Sequence, residues 1–457
     1  MKKYEIYKDS GFEWIGEIPE GWEVSRIKHL LEQSKDGIKI GPFGSALTGK
    51  VNNEGEYKVY GQWNIVGKDF NAGKNFVSSE TFSALESYHI SSGDLFISMM
   101  GTVGKCAIIP KGVAPGIMDS HVVKARLDET KMLPKYFEYV YDKDNSNVIY
   151  SQIQKYRKGS IMDGLNSTLI KEFVVPFPSL SEQRTIISYL DHKVGQIDAS
   201  VSAINAQIDD LKAYRQSIIS EAVTKGLNPD TKMKDSGIEW IGEIPEGWET
   251  SKLKFESKMV LGKMLEDKEP KDNKGEYTQE YYLKSRNIGM LEVFTDKDKL
   301  DKMWFSNKEK ELYLLQKGDL VMNEGGDIGK VALWKPTDFA CYIQNSVHKL
   351  TPKENLYASF LQYLISYISS TGYFMTVVSA ISIAHLTKEK LAETPLLIPP
   401  LSEQRAIADY LDKKTSEIDS AISSLEAQRD DLNALKQSII SEAVTGKIDL
   451  RDWNSDK

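Results

Sequence analysis

Cysteine is nearly absent: only Cys106 and Cys341 occur in 457 residues. A disulfide framework is therefore excluded beyond one bridge, and a reducing cytoplasm is the expected compartment. Six histidines (29, 89, 121, 192, 348, 385) form no HxxxH spacing, and no CxxC occurs, so the sequence suggests no zinc site. No apolar run approaches the roughly 18 residues that a membrane span needs. The opening MKKYEIYKDSGFEW has no apolar signal core. Excess positive charge is missing too: the formal net charge is −8. Residues 1–180 carry 22 basic and 22 acidic side chains, and residues 231–400 carry 23 and 25. The tracts 181–230 and 401–457 are acidic, with 5 against 7 and 8 against 12. Any nucleic-acid binding must then come from local patches of Lys and Arg, not from a polybasic surface.

Catalytic motifs are also lacking. Gly101-Thr-Val-Gly-Lys105 resembles a phosphate loop, but Met99 stands where its first Gly belongs and Cys106 where Ser or Thr would hold magnesium. A tight turn between two strands is the better description. The string nearest to an amino-methyltransferase loop is Asn228-Pro229-Asp230, which follows a helix stop. Glu56-Tyr57-Lys58 and Glu266-Asp267-Lys268 lack the upstream acidic partner of a nuclease centre. Cys106 precedes an apolar Ala-Ile-Ile run and reads as core. No catalytic residue and no metal ligand is assigned.

What the chain does contain is a repeat. Residues 10–28, SGFEWIGEIPEGWEVSRIK, return at 236–254 as SGIEWIGEIPEGWETSKLK, with 15 of 19 positions identical. LSEQRTIISYLD (180–191) returns as LSEQRAIADYLD (401–412), and QSIISEAVT (216–224) returns unchanged at 437–445. GDLFISMMGTVGKCAI (93–108) pairs more loosely with GDLVMNEGGDIGKVAL (318–333). A fixed frame with two different fillings implies two sites of one chemical kind directed at two targets.

Apolar residues in the first tract fall at Ile187, Leu190, Val194, Ile197, Val201, Ile204, Ile208, Leu211, Ile218 and Ala222. Steps alternating between three and four are the seam of a coiled coil. Leu411, Ile418, Ile422, Leu425, Leu432, Ile439 and Ala443 repeat the design. Pro176 and Pro178 with Ser179 and Ser181 start the first tract, Pro399 and Pro400 precede the second, and a glycine follows each, as helix starts and stops require. Each helix is about 40 residues, or roughly 60 Å. One narrow stripe cannot stabilise such a helix alone, so the two are expected to pair, antiparallel, giving the repeats a pseudo-twofold relation. The remaining segments read as mixed α and β. Strands are expected at 57–60, 94–99, 105–109, 173–177, 319–322 and 395–398, and helices at 134–142 and 357–370. The fold class is α+β: two mixed α/β globular domains, at 1–178 and 227–399, separated by spacer segments at 179–226 and 400–457, whose helical tracts are 181–224 and 402–445, the second segment ending in a C-terminal tail.

These islands resemble one family. Ile-Pro-Glu-Gly-Trp with a basic-apolar continuation, a Pro-rich approach to Leu-Ser-Glu-Gln-Arg, and a long helix ending Ser-Glu-Ala-Val-Thr occur twice in that order. The chain resembles the specificity (S) subunit of type I restriction–modification enzymes over essentially its whole length. The resemblance implies two target recognition domains, each reading half of a split double-stranded DNA sequence, with conserved spacer helices between them. It implies two modification (methyltransferase) subunits as partners, joined by restriction subunits with motor and nuclease activity. The chain would have no chemistry of its own, and S-adenosylmethionine, ATP and Mg would bind only to partner subunits.

Base readout needs Arg, Lys, Asn, Gln, Ser or Thr at base edges. In the first domain the candidates are the loop 41–50 with Ser45, Thr48 and the flanking Lys39 and Lys50. Gln62 and Asn64 follow, then Lys155, Tyr156, Arg157, Lys158 and Ser160, an aromatic among cations that suits a DNA groove. In the second domain they are Lys263, Lys284, Arg286, Asn287 and Asn323; Arg286 is the only arginine between 231 and 400. Trp14, Trp22, Trp240 and Trp248 are common to both copies and read as packing anchors. A coiled-coil adaptor holding two protein-binding modules is the alternative, and the acidic charge favours it mildly. An enzyme with an unrecognised site is a third.

Overall fold

The computed structural model describes residues 2–34, 37–157, 164–271, 275–378 and 385–454. The chain forms two compact units, Met1–Asn205 with Glu426–Lys457, and Ala206–Leu425. Each unit holds one globular head and one half of each long helix. The helices run Leu180–Lys225 and Leu401–Val444, within a residue or two of the tracts set by the three-four spacing.

In the first unit a four-stranded antiparallel sheet has the order Ile38–Ile40, Val122–Ala125, Leu95–Ser98, Cys106–Ile108. Beside it Phe76–Val77, Tyr57–Tyr60 and Gly116–Met118 form a three-stranded sheet. The second unit repeats this order: Ser257–Leu261, Val347–Pro352, Leu320–Asn323, Val331–Leu333, and then Asp301–Ser306, Tyr277–Leu283, Cys341–Ile343. In both, the Trp-bearing island pairs with the strand that leads into the long helix, Glu23–Arg26 with Val174–Phe177 and Glu249–Lys252 with Pro395–Ile398. The expected helices are Pro134–Tyr141 and Ala358–Ser370. Strands that read as continuous apolar runs are buried on both faces, as Leu95–Ser98 and Leu320–Asn323 are.

The repeated letters now have physical reasons. Trp22 and Trp248 are almost fully buried, and each indole Nε1 donates, at 3.0 Å, to the glutamate of its own Leu-Ser-Glu-Gln-Arg island, Glu182 or Glu403. The neighbouring glutamine is fully buried. Gln183 Oε1 accepts from Leu133 N at 2.8 Å, while its Nε2 donates to Lys131 O at 2.8 Å and Pro178 O at 3.0 Å. Gln404 does the same with Tyr357 N, Asn355 O and Pro399 O at 2.7, 2.9 and 2.9 Å. About two turns further on, Tyr139 OH donates to Asp191 at 2.6 Å and Tyr363 OH to Asp412 at 2.7 Å. Each long helix is thus bolted at its start to the loop and helix of its own head.

Each unit also shows the antiparallel sense of the pair by itself. In the first, Ile186, Tyr189 and Leu190 share a core with Ile440, Ala443 and Val444, and Lys436 pairs with Asp198 at 2.7 Å. In the second, Ile218, Ile219, Ala222 and Val223 pack with Ile407, Ala408, Leu411 and Ile418. Arg215, which interrupts the apolar spacing, ion-pairs with Asp419 at 3.3 Å. The helix ends require glycine. Gly446 has φ +70°, and a Cβ there would lie 2.4 Å from Pro19 Cδ. Gly226 has φ +76°. Other residues strain in this left-handed region. Both cysteines are buried and free, and burial pushes the Cys341 thiol up to about 12.

Replacing a buried glutamine by leucine leaves backbone groups unsatisfied, at about 1–3 kcal/mol for each group stranded. Gln183→Leu should therefore weaken hydrogen-exchange protection around residues 131–133 and leave 355–357 unchanged, and Gln404→Leu should do the reverse. Equal loss in both loops from either variant would refute this account of the bolts.

Candidate nucleic-acid interface

In the first head, antiparallel register sets Ile40 opposite Val123 and Ser98 opposite Val122, and parallel register sets Tyr60 beside Met118. The segments leaving these strands therefore emerge at one end of the sheets: 41–50, 99–105, 119–121 and the helix Gln62–Gly67. The second head brings together 262–265, 324–330, 344–346 and 284–287 by the same register, with Leu261 opposite His348, Asn323 opposite Val347 and Leu283 beside Ile343. The Gly101–Lys105 segment is a turn between two strands, not a phosphate cradle. Its glycines keep positive φ in both copies, 64° and 88° at Gly101 and Gly104, and 73° and 86° at Gly326 and Gly329. The residues flanking the first glycine change from Met100 and Thr102 to Gly325 and Asp327.

The sequence-predicted candidates divide into two groups. Ser45, Thr48 and Lys50 are exposed on the 41–50 loop. Lys39 is half-buried, with its ammonium 5.0 Å from the Tyr88 ring centre. Gln62 is half-buried at the sheet end, its Nε2 donating to Ser98 Oγ and Thr102 Oγ1, both at 2.6 Å, and to Met100 O. Lys155 and Tyr156 are exposed on the helix Val148–Arg157, with the Lys155 ammonium 5.0 Å from the Trp14 ring. Arg157 ends that helix; Lys158 and Ser160 lie outside the described residues. Arg286 is exposed, and its guanidinium lies 3.0 Å from Asp301, which Lys284 also contacts. These two cations hold the Asp301 carboxyl below its usual range, with Lys284 the larger influence.

Four candidates are committed to the fold. Asn64 is fully buried; its Oδ1 accepts from Gly61 N at 2.9 Å, and its Nδ2 donates to Asp69 O and Ala72 O at 2.8 and 3.1 Å. Asn287 repeats the first of these bonds, accepting from Lys284 N at 3.1 Å. The shared Asn-Ile of the two copies is therefore a helix-capping device. Asn323 is buried and donates to Ser285 O at 3.3 Å. Lys263 is buried among Trp304 O, Glu266 and Glu309 at 2.8, 2.6 and 2.7 Å. Burial works against its charge, but the two carboxylates outweigh it and raise its pKa. These bonds give Asn64 and Lys263 internal work inside the fold, whereas Asn323 Oδ1 is buried with no hydrogen-bond partner.

Sequence reasoning passed over Phe43 and Met264. Each stands two residues beyond a glycine that ends an edge strand, and they are 85% and 75% exposed. The matched glycines Gly41 and Gly262 were the available signal. It also passed over the turns Asp119-Ser120-His121 and Gln344-Asn345-Ser346, which share no letter and so escaped a search for repeats. Burial raises the Asp119 carboxyl pKa, against the opposing pull of His121.

Among the described residues no group of His, Cys, Asp and Glu is arranged to hold a metal, and no helix is long and apolar enough to cross a membrane. The model of the type I restriction modification DNA specificity domain matches residues 19–210 and again 245–427. The chain belongs to that family. It is 25% identical over 464 residues to the MjaX specificity subunit of Methanocaldococcus jannaschii, covering 97% of this chain and 98% of that one. The type I restriction enzyme MjaVIII specificity subunit of the same organism is 27% identical over 351 residues, covering 74% and 76%. A solved chain from work on complex assembly and conformational transition of the type I R-M system superposes with a TM-score of 0.67 at 16% identity. That superposition covers 94% of this chain and 99% of the other, and it shows the shared fold. The protein is thus a specificity component and not itself an enzyme.

If Asn64 and Asn287 serve only the fold, Asn64→Ala and Asn287→Ala should each cost about 1–3 kcal/mol of stability in denaturant unfolding. The sequence selected by the assembled complex should not change. A changed half-site at undiminished stability would return these residues to the interface.

Proposed function

We propose that this protein is the DNA-reading subunit of a type I restriction–modification complex in the cytoplasm. Each head reads one half of a split duplex target. The paired helices set the non-specific gap and dock two modification subunits, and restriction subunits complete the assembly. S-adenosylmethionine, ATP and Mg belong to those partners. The observation that carries this reading is the doubled frame: one sheet topology and one set of helix bolts, with changed side chains at the sheet end. An assembly that must recognise two unlike half-sites needs this division between frame and filling. In the first head Ser45, Thr48, Lys50, Gln62, Lys155 and Tyr156 supply candidate contacts, with the half-buried Lys39 beside the 41–50 loop; Arg157, Lys158 and Ser160 continue that stretch of sequence. In the second head Lys284 and Arg286 serve, once the phosphate backbone competes with Asp301 for them.

Lysines that meet phosphates position the protein without reading sequence. Lys50→Ala with Lys155→Ala should weaken binding of the assembled complex about equally on all duplexes and lower the salt slope by about two. The gap is a matter of helix length. Lys436 facing Asp198 and Asp419 facing Arg215 set the register of the pair. By that register, deleting 199–205 together with the facing 429–435 removes one heptad from each helix. At 1.5 Å per residue this shortens the pair by roughly 10 Å, or about three base pairs. Mapping methylated bases in a host carrying the variant should show both half-sites unchanged and the gap shortened. An unchanged gap would refute the spacer role. Random duplex pools bound without sequence preference by the wild-type complex would leave the adaptor reading instead.

A further inference from the structure

The two turns that share no letters share a backbone. Asp119 N donates to Tyr60 O at 2.8 Å, and Gln344 N donates to Leu283 O at 3.0 Å. His121 O accepts from Met99 N at 3.2 Å, and Ser346 O accepts from Glu324 N at 3.0 Å. Gly41 N reaches Val122 O at 2.9 Å, and Gly262 N reaches Val347 O at 3.0 Å. The glycines are needed for that approach: a Cβ at Gly41 would lie 1.7 Å from Asp119 O, and one at Gly262 would lie 2.4 Å from Gln344 O. Three residues are thus held at both ends by strands and underneath by a glycine in each head, and the second turn adds backbone bonds from Asn345 N to Lys263 O at 2.7 Å and from Val347 N to Gln344 O at 2.9 Å.

On this common platform the chemistry differs. In the first head Asp119 Oδ1 accepts from His121 N at 2.8 Å, and Ser120 Oγ lies 3.3 Å from His121 Nδ1, with the His121 ring more than half exposed. In the second, Gln344 Nε2 donates to Asn345 Oδ1 at 2.5 Å, and Ser346 Oγ donates to Gln344 Oε1 at 2.6 Å. All three of these second-head side chains are half-buried at the surface. An amide side chain offers a donor and an acceptor together, the pattern that matches adenine. A carboxylate accepts from the exocyclic amine of cytosine or adenine, and serine and histidine also meet base edges.

We infer that Asp119-Ser120-His121 and Gln344-Asn345-Ser346 set base identity in the two half-sites. The inference rests on the DNA-reading function proposed above and adds the residues that discriminate. Bidentate recognition requires groups held within a fraction of an ångström, and these turns are the segments of the sheet end that keep one backbone while changing every side chain. Phe43 and Met264, exposed beside them, are placed to meet a thymine methyl or the edge of a base step.

The test exchanges the fillings in the full chain assembled with its modification subunits. One variant carries D119Q, S120N and H121S, and a second carries Q344D, N345S and S346H. Each complex is used to select from random duplex pools, with wild type alongside. Preference for the original bases should fall at least about tenfold at one half-site, a different half-site for each variant, while the other half-site and the gap are retained. An unchanged motif overturns the inference. So does loss of both half-sites together, which marks a merely structural turn. Single variants Ser120→Ala and Asn345→Ala, which keep the backbone bonds, must show the same confinement to one half-site. Wild type without any preference would instead refute the DNA-reading function itself.

Discussion

Two buried glutamines hold the architecture to its purpose. Gln183 and Gln404 each satisfy one backbone donor and two backbone acceptors where a long helix leaves its head. A buried amide with its bonds complete is rigid because any rotation strands polar groups away from water. The adjacent glutamate receives the indole of Trp22 or Trp248 from the opposite side. A head fastened in this way cannot swivel on its helix without breaking four hydrogen bonds. A spacer is useful only if its ends are fixed, since two readers on loose joints would accept many gaps. This fixity explains why the letters at the helix starts are kept in both copies while the turns are not.

The same logic separates supporting from reading residues within each head. Asn64 and Asn287 belong to matching islands, and both close a capping bond. Gly101, Gly104, Gly326 and Gly329 hold left-handed turns that other residues strain to adopt. What both heads retain can be traced to a backbone requirement. What changes between them sits at matching places of the shared sheet topology, where the function proposed above puts contact with DNA. Internal repetition thus acts as a control experiment built into the molecule, with each head serving as the reference for the other.

Much of this was legible from the sequence. The three-four spacing gave both helices to within a residue or two and gave their narrow seam, because helical periodicity is a local property. Strands such as Tyr57–Tyr60 and Pro395–Ile398 announced themselves by apolar runs between turn residues. Residue type alone could not separate Asn64, saturated by backbone, from Gln62, half-exposed at the sheet end. Both are amides two positions apart, and only the tertiary path of residues 69–72 and 98–102 distinguishes them. Lys263 shows the same limit: Glu309, which pairs with it, is distant in sequence. The turns at 119–121 and 344–346 were invisible to a search for identity, because their likeness lies in hydrogen bonds and not in letters.

The acidic total charge, which favours an adaptor at first sight, fits a reader when its distribution is followed. The surplus of acid lies largely in the helical tracts, 12 against 8 in the second, while the first head is balanced at 22 and 22. Many head cations are also spent internally, Lys58 on the carbonyls of Phe70 and Asn71 and Lys349 on those of Leu312 and Leu314. Others, such as Lys74, Lys111, Lys317 and Lys335, are exposed. On the function proposed above, a surface without a large excess of positive charge leaves the difference between right and wrong bases a larger fraction of the interaction with DNA. Strong non-specific attraction would mask that difference. On the function proposed above, a subunit that selects while its partners carry the chemistry is better served by near-neutral heads than by a basic surface that holds any sequence.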